Sequence, residues 1–151
     1  VTNNYNIIIN PFGKEKIDHI INDYEFMKKC VRNATTHGVT DLSRRIHFDD
    51  EHPENKNIRL KSLKRELMEV MKEDNQWHLM DKSEALDKLM RKAFVALHNF
   101  YDKNLTDDDE GDFRLDLLRK IQIKYTNIYY TVCKRLNVVI MDESNRSRSA
   151  Q

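Results

Sequence analysis

A chain of 151 residues and 18.1 kDa can bury one hydrophobic core, whereas two independent domains would each be marginal. Charged residues make up 34% and hydrophobic ones 39%, the balance of a helix-rich globular domain rather than of a disordered tail or a membrane protein. Lys and Arg number 26 against 25 acidic residues, a formal net charge of +1, so no whole-chain field draws the protein to phosphate backbones or anionic lipid.

Any nucleic-acid contact must therefore come from a local patch. No apolar run reaches bilayer length, and we expect no membrane partner. Cys30 and Cys133 lie far apart without a CxxC partner and read as reduced, half-buried thiols of an intracellular protein. Val1 is followed by no secretory n-region or h-region, and we read the chain as part of something longer.

In chain order, "VTNNYNIIINPFG" predicts a short strand ending in a turn, with Ile7 and Ile9 as candidate contacts between copies. Residues 1–13 are thus set apart as an N-terminal strand and oligomerisation segment. Ile17, Ile20, Ile21 and Tyr24 change to helical spacing, and Phe26, Met27 and Val31 extend it as far as Gly38. A further short helix passes through Leu42 and Ile46, and Pro53 imposes a break. Ile58 and Leu60 alternate as in a strand.

In "LMEVMKEDNQWHLMDK", Met68, Val70 and Lys72 alternate, Glu73-Asp74-Asn75 turns, and Trp77 and Leu79 share a face on the return, which predicts a hairpin. Helix propensity from Leu63 to Glu73 argues the other way. Ser83 reads as an N-cap, followed by a stripe from Leu86 to Tyr101. A second long helix follows the acidic loop "NLTDDDEGD", from Phe113 to Leu136. Within it, Ile121, Tyr125, Ile128, Tyr129 and Val132 leave more than one side apolar, so this helix is either central or shared with a second chain. The polar tail, residues 142–151, is expected to fray.

His47, Asp49, Asp50 and His52 crowd into six positions, and imidazole beside carboxylate could bind a divalent ion or activate water. No second half of a nuclease motif accompanies them. An Asx-type turn fixed by Pro53, leading through Asn55 and Asn57 to the strand, explains more of the residues and leaves His47 and His52 as weak metal candidates. The three glycines form no phosphate loop, no nucleophile elbow is present, and no cofactor is expected. Arg59, Lys61, Lys64 and Arg65 make a local basic patch, with Trp77 as a stacking group beside it.

Phe12-Gly13-Lys14-Glu15, Ile46-His47-Phe48, Pro53-Glu54-Asn55, Asn57-Ile58 and Trp77, spread over residues 1–101, resemble the C-terminal domain of proteins from large DNA viruses, giant viruses of amoebae and algae among them. Those proteins carry Asn-Ile-Thr-rich tracts and often an N-terminal zinc-finger module that binds DNA. The resemblance implies an appended assembly domain in an infected host cell, in the viral factory, nucleus or cytoplasm, or in the virion. Zinc-finger cysteines are lacking here, and the tyrosine-rich last helix has no place in that pattern.

The combined expectation is a mainly α-helical α+β domain over residues 14–141, with a small hairpin or sheet on several helices and two long C-terminal helices. We expect it to be non-enzymatic and to form a homo-oligomer. DNA would be reached through an upstream module or the basic patch; direct nucleic-acid binding and a metal-dependent nuclease are the alternatives.

Overall fold

The computed structural model describes residues 7–105 and 127–149. Among them are five α-helices, α1 (Asp18–Ile21), α2 (Tyr24–Arg32), α3 (Val39–Phe48), α4 (Lys82–Asn104) and α5 (Asn127–Ser149), and a three-stranded sheet of β1 (Ile58–Arg59), β2 (Leu67–Met71) and β3 (Trp77–Asp81). The fold is the expected mainly helical α+β arrangement, with two long C-terminal helices. The acidic loop, Ile121 and Tyr125 lie outside the described residues. No described helix is long and apolar enough to cross a membrane.

The sheet is antiparallel in the order β1-β2-β3, with Glu69 opposite Leu79 and Met71 opposite Trp77. The hairpin forms despite the helix propensity of its first strand because its turn is well specified. Lys72 N donates to Gln76 O at 3.1 Å, and Asn75 takes φ 60°, the left-handed conformation that asparagine tolerates. Met68 and Val70 on one face are then fully buried against the helices, while Leu67 and Leu79 on the other stay exposed.

Helix α4 begins earlier than the Ser83 cap predicted. Asp81 is the N-cap and accepts from the Ser83 and Glu84 amides, and Ser83 only donates its hydroxyl to that carboxylate at 2.7 Å. A carboxylate is a capping acceptor as good as a hydroxyl and carries a charge that suits the helix N-terminus. In α5 Tyr129, Val132, Leu136 and Ile140 form one buried stripe. They meet Met27, Leu42, Ile46, Leu89 and Leu97 in a single core, where burying each such side chain contributes about 1.5–3 kcal/mol.

Two boundaries differ from expectation. Residues 7–13 contain no strand; they lie along the body, with Asn10 N donating to Glu54 O at 2.7 Å and Phe12 N to Met71 O at 2.9 Å. The tail read as fraying from Asp142 is helical to Ser149. Its polar residues have specific partners: Ser144 Oγ accepts from Leu60 N at 3.0 Å, Arg148 donates to Leu60 O at 3.2 Å, and Arg146 pairs with Asp50 at 3.3 Å.

Candidate functional site

Pro11, Phe12, Gly13 and Lys14 form a tight turn closed by Lys14 N to Pro11 O at 2.9 Å, and Gly13 at φ 94° occupies the position that demands a positive φ. A Cβ at Gly13 would meet nothing within 4 Å, so the backbone angle, not space, calls for glycine. The turn aims Glu15 inward, where its side chain is wholly buried. Glu15 Oε2 accepts from Gly13 N and from Asn57 Nδ2, each at 2.6 Å. Lys92 Nζ lies 2.9 Å from Oε1 as an ion pair, off the hydrogen-bonding direction, and donates to the Glu15 main-chain oxygen at 3.3 Å.

Asn57 fixes the next link. Its amide nitrogen is committed to Glu15 and to Asn10 O at 3.1 Å, so its oxygen must accept from His47 Nδ1 at 2.8 Å. His47 is therefore the Nδ1–H tautomer, with Nε2 its basic atom. Asn55 grips the Lys16 backbone from both sides, accepting from its N–H at 3.2 Å and donating to its carbonyl at 2.8 Å.

Burial disfavours ionising Glu15, yet His47, Lys92 and Asn57 together outweigh it and hold the carboxyl below its ordinary range. Complete burial holds the His47 imidazole below its usual range, against the opposing pull of Glu15 and Asn57. At neutral pH the knot thus contains a carboxylate, its ammonium partner and a neutral imidazole. It borders a cavity of about 620 Å³ lined by Phe12, Glu15, His47, Lys92, Val95 and Asn99, among others.

His47 and His52, the two histidines of the 46–60 stretch, have separate partners. His52 stacks on His19 with ring centroids 3.5 Å apart, and its Nδ1 bonds Glu54 Oε1 at 2.9 Å. Asp49 accepts from Glu51 N at 3.0 Å in the expected Asx turn, and Asp50 pairs with Lys56 and Arg146.

Of the basic patch, Arg59, Lys61 and Trp77 come together while Lys64 and Arg65 sit exposed on the loop before β2. Arg59 lies over the Trp77 ring at 3.9 Å and bonds Glu69, which also takes Lys61 at 3.2 Å. With Lys56, Arg148 and Ser147 they line a groove of about 380 Å³.

Of the residues read as contacts between copies, Tyr129 and Val132 are buried in this chain's own core. Tyr129 also donates its hydroxyl to Asp87 at 2.8 Å. Ile128 is half-buried against the same core, Ile9 is half-buried, and Ile7 is 47% exposed. In the described part of α5, Tyr129, Val132, Leu136 and Ile140 face the core, while Tyr130 and Val138 are 51% and 49% exposed.

The chain was compared with protein-family models, curated proteins and solved structures, and nothing matched. Sequence reasoning had not tied Glu15 to Lys92 or His19 to His52. The signal for the first lay in the motif residues themselves: Phe12 to Glu15, His47, Asn55 and Asn57 all converge on one knot.

Proposed function

We propose that this is a non-enzymatic self-association domain of a viral DNA-associated or virion protein, and that it assembles through the outer face and free edge of its sheet rather than through α5. The observation that carries this reading is the state of β3. Among the described residues it pairs on one side only, and Leu79 on its outward face is 53% exposed, beside Leu67 at 37%, with Leu63 on the preceding loop at 46%. β3 contains no proline and no lysine to discourage pairing. A second copy could add its own β3 across this edge and bury the leucines, each Å² of apolar surface contributing about 25 cal/mol before the costs of association.

Light scattering behind a sizing column tests it. The wild type should run at a multiple of 18.1 kDa, and Leu79→Asp should return it to that mass. A wild-type monomer at high concentration, or an assembly that survives Leu79→Asp, would remove this reading.

Direct nucleic-acid binding is the second reading, favoured by the groove where Lys56, Arg59, Lys61 and Arg148 surround Trp77. Glu69 neutralises part of that charge, and Arg59 already covers one face of the ring. Since Trp77 is the chain's one tryptophan, its fluorescence reports binding directly. Salt-sensitive quenching by a single-stranded oligonucleotide, lost in Arg148→Glu, is the expected signature.

A further inference from the structure

We propose that His19, Asp49 and His52 form a binding site for a divalent first-row metal ion, zinc above all, that ties α1 to the turn following α3. One ligand atom from each of the three lies within 4.8 Å of the others. Ligands on a tetrahedral zinc at about 2.0–2.1 Å lie roughly 3.3 Å apart, so a small closure brings them into range.

Three further features point to a cation. His19 Nε2 is buried and has no hydrogen-bond partner, an arrangement that costs desolvation energy unless something satisfies the nitrogen. His52 gives its Nδ1–H to Glu54, which fixes the tautomer, leaves Nε2 with its lone pair and makes the ring a better donor, as carboxylate partners of metal-bound histidines do. Asp49 is oriented by the Glu51 amide on one oxygen, so the second is available.

Two imidazoles and one carboxylate suit zinc rather than calcium or magnesium, which favour oxygen ligands, and they leave one of four positions to solvent. The two rings are stacked at an interplanar angle of 19°, and an ion in the plane of each would splay them. Arg45 is the opposing charge nearby; it pairs with Asp23 at 2.8 Å, and Glu54 and Asp49 outnumber it around the rings.

The test is calorimetric titration of the whole chain with zinc chloride alone, with cobalt absorbance as a check on coordination. One ion per chain is expected, bound with a rise in melting temperature. His19→Gln and Asp49→Asn should each abolish that binding, and Glu54→Gln should weaken it about 10–100-fold. His78→Gln, at an exposed histidine paired with Asp74, should leave it unchanged. Circular dichroism checks the fold of each variant; Asp49→Asn keeps the shape of its half-buried side chain and decides the matter should His19→Gln fold poorly. Absence of saturable one-to-one binding, or binding indifferent to Asp49→Asn, would overturn the proposal.

Discussion

The knot around Glu15 and the outer face of the sheet both contain a carboxylate shared by several donors, yet they differ in what each donor can do without it. Glu15 and Asn57 are sealed from water and Lys92 is only 24% exposed, so removing the carboxylate would leave the Asn57 amide without a substitute. Glu69 also serves two cations, but Arg59 and Lys61 are 42% and 55% exposed and solvent can replace it. The same ion-pair chemistry therefore fixes the fold in one region and stays open to solvent in the other.

The largest effect should come from the sealed side. Glu15→Ala leaves the buried Asn57 amide and the half-buried Lys92 ammonium without their acceptor and should lower stability by about 3 kcal/mol in urea unfolding. A loss as small as that of a surface charge would mean that water reaches the knot.

Gly38→Ala should follow. A Cβ there would lie 2.0 Å from Cys30 O and 2.9 Å from Asn33 O, both backbone atoms that cannot swing away, and we expect a loss of about 1–3 kcal/mol by thermal unfolding.

Acid should act through the knot as well. His47 titrates below its unfolded value of 6.5, so the unfolded chain binds a proton that the folded one refuses. Its contribution is complete above pH 6.5 and is lost as the pH falls from there toward the folded value, with a slope of at most about 1.4 kcal/mol per pH unit. Lowered Glu15 adds a loss of the same sign below its ordinary value of 4.5. In His47→Gln, urea unfolding between pH 7 and pH 5 should be flatter; an unchanged slope would assign the acid sensitivity elsewhere.

On the open face, Lys61→Ala should change stability by less than about 1 kcal/mol. A larger loss would show that this face, too, is structurally committed.

Much of the fold was legible where local signals agreed. The Glu73-Asp74-Asn75 turn located the hairpin against the helix propensity of β2, and the stripe from Leu86 to Tyr101 matched α4. Periodicity also found the buried side of α5, but it could not tell a central helix from a shared one, because burial by one's own chain and by a partner leave the same pattern. The helical end of α5 was hidden for a related reason: Ser144, Arg146 and Arg148 look like tail residues until Leu60 and Asp50 are brought to them. The Glu15–Lys92 pair joins positions 77 apart, beyond the reach of any spacing rule.

The central claim is that β3 is the surface left for a second copy. Amide hydrogen exchange at residues 77–81, followed at low and high chain concentration, addresses it most directly. Protection confined to β3 and rising with concentration is the predicted result; exchange there that ignores concentration, while amides of α5 become protected, would contradict it.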